Sequence, residues 1–264
     1  MLLALALCAH VAGAQEPEGG RVIGRSVEGR PISVYTVGSG AEDILMVGGI
    51  HGGYEANSIA LAREFVRYYR ANPDHLPDQF RLHIIDNMNP DGLFRVTGGT
   101  PVTEFDFRSA ETEPGRFNAN FVDLNRNWDG DWQPTSYWRN REVSAGSAPF
   151  SEPETRAVRD YLLAIDPVVS IFFQSAAAGI WYSGADELWE PARRLAQAYA
   201  SASGYRMPRP DTGTVGYEIT GSADDYFIEI QHPNITVELT THFDIDWRQN
   251  LAGFRALLSE LQSR

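Results

Sequence analysis

Four short stretches of the chain hold residue types able to do chemistry together. The first is HGGYEAN, in which three residues separate His51 from Glu55. An imidazole and a carboxylate at the opening of a helix make a zinc-compatible pair. Taken alone, the pair is better explained by a turn closed by His51 and by a Glu55 that favours the positive end of the helix dipole. The second is GRFNANFVDLNRNWDGDW (115–132), which follows NPDG (89–92). There Asn125-Arg126-Asn127 sets a permanently charged fork between two amides, suited to gripping a carboxylate in bidentate fashion. Arg116 adds a second fixed cation, whereas an isolated Asn-Arg-Asn would be an ordinary solvated loop. The third is NITVELT (234–240). Alternation sends Ile235, Val237 and Leu239 to one face and Thr236, Glu238 and Thr240 to the other, so Glu238 either meets solvent at an edge or points into a site. The fourth is IFFQSAAAGIWYSG (171–184), an apolar run that ends on the primary amide of Gln174. A buried amide needs partners, and nothing adjacent in sequence supplies them.

These stretches need a scaffold. ISVYTVG (32–38), DILMVGGI (43–50), FRLHIID (80–86), VVSIFFQS (168–175) and NITVELT read as short, aliphatic or β-branched strands. Ile59, Ala62, Phe65, Val66 and Tyr69 share one face of a helix near 56–70. Ser151 with Glu154 predicts a capping box opening a helix that runs to about Ile165. Trp247, Leu251, Phe254, Leu258 and Leu261 keep helical spacing to the C-terminus. Continuous apolar strands alternating with helices predict a single α/β domain, with a mixed, mostly parallel central sheet covered on both faces. His51 then lies just past a strand, at the carboxyl edge where such sheets keep their sites. The stretch from Met88 to Phe150 fits neither period, and a connection that long in a compact domain usually carries function.

Bulk composition narrows the partners. The chain has 264 residues, 43% hydrophobic and 22% charged, with a net charge of −13, and a pI near 4.9. That balance argues against nucleic acid and anionic membranes. Residues 1–14, MLLALALCAHVAGA, are apolar and end in Ala12-Gly13-Ala14. The run is too short for a span of roughly 20 residues and reads as a signal peptide cleaved after Ala14. The expected location is therefore secreted or periplasmic, with residues 15–264 as the working domain. Cys8 is the only cysteine, so a chain cleaved there carries no disulfide. Lipid attachment at Cys8 is disfavoured by the bulky Leu7 before it. A serine hydrolase lacks support, because the sequence has no G-x-S-x-G elbow; H-E-x-x-H, P-loop and G-x-G-x-x-G motifs are missing as well.

Taken together, the ordered series of HGGYE, NPDG, Arg116 followed by DLNRN, PFSEPE (149–154), the strand ending at Gln174, the GYEITGSADDY loop and the Glu238 strand resembles the zinc metallocarboxypeptidases of the carboxypeptidase A/B type. The resemblance runs from GRSVEGRPI (24–32) to NLAGFRALL (250–258). It implies the fold of that family and one zinc ion, with His51 and Glu55 as its first two ligands. It implies that Arg116 polarises the scissile carbonyl and holds the oxyanion, and that Asn125 and Arg126 bind the substrate's C-terminal carboxylate. It further implies that Tyr217 closes over the substrate, that Ala223 lies near the side-chain pocket beside Asp224 and Asp225, and that Glu238 is the general base. In such a site zinc lowers the pKa of its water toward ~7 and the base takes the proton. The partner implied is a peptide with a free C-terminal carboxylate, and a small residue flanked by carboxylates suits an amine-bearing side chain such as diaminopimelate. GRSVEGRPI is similar to bacterial murein-peptide members. Two departures stand out. The family spacing is His-x-x-Glu, one residue shorter than here, and Gln174 stands where the third ligand is a histidine. Glutamine offers only a neutral amide oxygen, a poor zinc donor beside imidazole; of the remaining histidines only His242, four residues past Glu238, could reach the site. Two functions follow as expectations: a carboxypeptidase, impaired at its metal, or a non-catalytic protein that binds peptide carboxyl ends.

Overall fold

The computed structural model describes residues 19–100, 112–183, 190–207 and 217–264. The segment read as a signal peptide lies outside them. In chain order the elements are β1 (Arg21–Arg25), β2 (Pro31–Val37), β3 (Glu42–Val47), α1 (Ala56–Ala71), β4 (Phe80–Ile85), α2 (Pro90–Thr97), β5 (Thr135–Trp138), β6 (Arg141–Ser144), α3 (Pro153–Ile165), β7 (Val169–Ser175), β8 (Gly179–Tyr182), α4 (Glu190–Ser203), α5 (Ala223–Glu229), β9 (Asn234–Leu239) and α6 (Trp247–Gln262).

Alternation along the central strands sets the layering. In β3, Ile44 and Met46 join a core with Phe65 and Tyr69 of α1, Tyr199 of α4 and Phe254 of α6. Leu45 and Val47 face the other way, into a core with Val158 and Tyr161 of α3, Phe227 of α5 and the buried Trp128. Helices thus cover both faces of one seven-stranded sheet of order β1-β2-β4-β3-β7-β9-β8. β4, β3, β7 and β9 run parallel, while β1, β2 and β8 pair antiparallel at the two sides. The predicted mixed, mostly parallel sheet and all five predicted strands are present.

The long aperiodic stretch is built as short pieces. NPDG opens α2, with Asn89 as its cap accepting from the Gly92 amide at 2.9 Å and Pro90 in the first turn. Farther on, β5 and β6 form a separate two-stranded hairpin. Residues 101–111 fall outside the described set. The predicted capping box of α3 is corrected: Glu152, not Ser151, is the cap and makes no side-chain cap bond. Asn127 supplies the missing acceptor from a distance, its Oδ1 taking the Glu152 amide at 3.1 Å and the Thr155 hydroxyl at 2.7 Å. Among the described residues no helix is long and apolar enough to cross a membrane.

Candidate active site

The carboxyl ends of β3, β7 and β9 converge, and the site is assembled there. After β3 the chain makes a tight turn, Gly52–Glu55, before α1 begins. Gly52 has φ +46°, and a Cβ on it would lie 2.7 Å from the Gly115 carbonyl oxygen and 2.9 Å from that of Asn89. Only glycine lets this turn pack against both loops, and the longer His51–Glu55 spacing is accommodated here. His51 and Glu55 end up in contact, with Nδ1 2.8 Å from Oε1. Gln174 and Glu238 are direct partners across β7 and β9, so both side chains leave the sheet on the same face. One cavity of about 240 Å³ is lined by His51, Glu55, Arg116, Asn125, Arg126, Gln174, Tyr217 and Glu238. Every residue assigned to the site from the sequence therefore lines it, except Ala223.

Asp123, which the sequence reading quoted but gave no role, ties these groups together. Its Oδ2 accepts from Arg116 Nε at 2.9 Å and Nη2 at 2.8 Å. Its Oδ1 accepts from the Asn125 amide at 3.0 Å and stands 3.3 Å from His51 Nε2. Burial pushes the Asp123 carboxyl up, yet Arg116 and Arg126 more than offset this and hold it well below the ordinary carboxylate range. His51 thus turns Nε2 toward Asp123 and Nδ1 toward Glu55.

Arg126 is buried and donates from Nη1 to its neighbour's carbonyl, Asn125 O, at 2.6 Å, and from Nε and Nη2 to Tyr137 O at 3.2 and 2.9 Å. A guanidinium carries five N–H groups, so two are left unengaged, and Arg126 lines the cavity. Asn127, the second amide of the motif, points away into the α3 cap and takes no part in the cavity. Arg116 keeps Nη1 3.7 Å from Glu55 Oε1 and lies 4.5 Å above the Trp138 ring.

Gln174 has found the partner that its neighbours in sequence lack. Its Oε1 accepts from Asn125 Nδ2 at 3.4 Å, while Asn125 Oδ1 accepts from the Ala223 amide at 3.0 Å. The oxygen that would have to serve a metal is thus turned toward the carboxylate-binding side. Glu55 is likewise engaged, by His51 Nδ1 and by the Ser175 amide at 3.2 Å. His242 also lines the cavity, but its Nδ1 is 3.0 Å from the Ser175 hydroxyl and its ring packs 4.7 Å from that of Tyr54. Among the described residues, no three His, Cys, Asp or Glu side chains are grouped so as to hold a metal ion. His51 and Glu55 offer two donors of a zinc centre, and the donor set does not fit a zinc held by three protein ligands.

In this site His51 Nε2 and one oxygen of Glu238, Oε2, are buried without a hydrogen-bond partner. Burial and the nearby Glu55 push the Glu238 pKa up to about 8. Ala223 is 1% exposed and does not line the cavity; its amide positions Asn125 from behind. Asp225 closes the capping box of α5 with Ser222. Asp224 accepts from Asn234 Nδ2 at 2.7 Å and Thr236 Oγ1 at 2.8 Å, and burial raises it to about 6. Tyr54, Trp138 and Arg139 also line the cavity and escaped the sequence reading, the last two because the hairpin that carries them has no clear period.

Residues 15–257 match the family model described as zinc carboxypeptidase. Murein peptide amidase A of Escherichia coli K12 is 28% identical over 84% of this chain and 81% of its own. Carboxypeptidase B of the crayfish Astacus astacus is 26% identical over 77% of this chain and 72% of its own. A gamma-D-glutamyl-L-diamino acid endopeptidase of Lysinibacillus sphaericus is 25% identical over 90% of this chain, which spans 66% of that protein's length. Among solved structures, bovine thrombin-activatable fibrinolysis inhibitor in complex with tick carboxypeptidase inhibitor superposes with a TM-score of 0.73 at 19% identity, over 92% of this chain and 90% of that one. The murein-tripeptide amidase from Escherichia coli O157 gives 0.62 at 24%, over 95% and 94%.

Proposed function

Because the chain belongs to the zinc carboxypeptidase family, whose members are zinc-dependent hydrolases, we propose that it takes peptides by their free C-terminal carboxylate, as an exported protein. One observation carries this reading: Asn125 and Arg126 both line the cavity and are held by backbone partners, with two of the Arg126 N–H groups and one of the Asn125 amide N–H groups still unengaged. A preorganised guanidinium and amide bind a carboxylate without first having to order themselves. Tyr217 stands at the same cavity.

Cleavage of the last peptide bond is the second reading. It is favoured by the placement of Glu238, whose buried and unpartnered Oε2 belongs to a carboxyl primed to exchange a proton near neutral pH, with Arg116 on the same cavity to meet a developing oxyanion. The metal side opposes it, since two donors and an engaged amide replace the expected three ligands. Titrating peptides that differ only in a free or amidated C-terminus, with chelator and then with buffered free zinc, separates the two. The free acid should bind at least ~10-fold more tightly than the amide, as expected for a charge-assisted bond. Equal affinity would remove the reading. Zinc-dependent release of the terminal residue would establish cleavage.

A further inference from the structure

The hairpin of β5 and β6 turns through two residues, Arg139 and Asn140, between the paired Trp138 and Arg141. Arg139 has φ +55°, a left-handed conformation that the first position of such a turn favours glycine for. An arginine held there is a cost to the fold, and strain of that kind concentrates at functional positions. Its guanidinium lies 4.9 Å from the Trp138 ring centroid and donates from Nη2 to the Tyr54 hydroxyl at 3.2 Å. Tyr54 falls within the lengthened HGGYE turn, and Tyr54, Trp138 and Arg139 all line the cavity.

The other cations around Trp138 already have carboxylates. Arg116 is paired with Asp123 and Arg141 with Glu113. Among the described residues Arg139 forms no ion pair, and it is exposed. In a chain of net charge −13, an exposed arginine with no ion pair of its own, held over an aromatic ring that lines the cavity, attracts anions that the rest of the surface repels. Tyr54 and Trp138 meet edge to face with centroids 5.3 Å apart; the buried Arg116 lies 5.9 Å from the first ring and 4.5 Å from the second, and Arg139 contacts both. Arg139 thus lines the same cavity as Asn125 and Arg126, the groups that would hold a peptide's last carboxylate.

We propose that Arg139 is a specificity-determining residue that binds an acidic side chain carried by the peptide upstream of its terminal residue. The proposal rests on the carboxyl-end reading above and adds a second carboxylate to the ligand. The test uses fluorescent peptides with a free C-terminus, bearing Glu or Gln at each of the two positions before the last residue. They are titrated into the native chain, Arg139→Gln and Arg139→Gly at low and at high salt. The native chain should prefer Glu over Gln about fivefold at one of the two positions, the scale of a solvent-exposed ion pair, and the preference should collapse at high salt. Both variants should lose it. Arg139→Gly relieves the turn and should melt no lower than the native chain, so a lost preference there is not misfolding. A Glu/Gln ratio near one at both positions, or a ratio unchanged in the variants, overturns the proposal while a free-acid preference over the amide survives. Equal affinity for free-acid and amidated peptides removes the underlying reading instead.

Discussion

At position 174 an amide stands beside Glu238 on the neighbouring strand, and its carbonyl oxygen already accepts from Asn125. An imidazole in that place would add a third nitrogen or carboxylate-type donor beside His51 and Glu55, where the amide instead steadies Asn125. Gln174→His should therefore raise zinc affinity by at least ~10–100-fold, read as metal per chain at a buffered free-zinc level where the native chain is empty. A native chain already carrying a full equivalent at that level would mean that two donors and the amide suffice. Asp123 makes a second residue-scale prediction. It is the buried counter-charge of both Arg116 and Arg126, and removing one partner of a buried pair leaves the other uncompensated. Asp123→Asn keeps the shape and loses the charge, so it should lower unfolding stability by on the order of 3 kcal/mol in urea titrations. A loss below ~1 kcal/mol would show that the two guanidinium groups find compensation elsewhere.

The elements explain which parts of the site were legible in sequence. In β9 alternation in NITVELT singles out Glu238, and in β7 Gln174 is visible as a polar residue that ends the apolar run IFF. The turn after β3 was legible as well, as a strand followed by two glycines. What stayed hidden depends on contacts across long separations. Asn125 meets Gln174 across 49 residues and Ala223 across 98, and no local period encodes either. The hairpin strands TSYW and REVS are four residues each, too short for alternation to declare itself, so Trp138 and Arg139 went unread. Ala223 was placed near the side-chain pocket by resemblance alone, and a resemblance in sequence cannot tell a backbone amide that supports the site from a side chain that lines it. α5 allows a test. Its capping box, with Ser222 Oγ accepting from the Asp225 amide and the Asp225 carboxylate accepting from Ser222, orients Ala223 toward Asn125. Ser222→Ala should cost about 1 kcal/mol of stability and also weaken binding of free-acid peptides. Unaltered peptide affinity in a measurably destabilised variant would separate the cap from the carboxylate grip.

Across the whole molecule the acidic surface and the cationic cavity are opposed, and the buried histidines add a dependence on pH that the site does not control. His232 lies at the far end of the sheet, ahead of β9, with Nε2 3.0 Å from the Ser170 hydroxyl and its ring 5.3 Å from Phe227. Burial lowers its pKa to about 4, with only a small opposing pull from Asp166. A histidine in the unfolded chain protonates near pH ~6.5. Between these values the unfolded state binds a proton that the folded state refuses, so stability is full above about pH 6.5 and falls as the pH drops toward 4. His83 acts in the same direction, since burial lowers its pKa despite the neighbouring Asp43. Urea unfolding should therefore show the native chain losing ~2 kcal/mol on going from neutral pH to about pH 5 through His232 alone. His232→Gln keeps a hydrogen-bonding group for Ser170 and cannot titrate, so its stability curve should be flatter by that amount. Parallel curves for the two proteins would mean that His232 gains its proton on the surface of an already loosened state, and that the acid sensitivity belongs to His83 and the buried carboxylates instead.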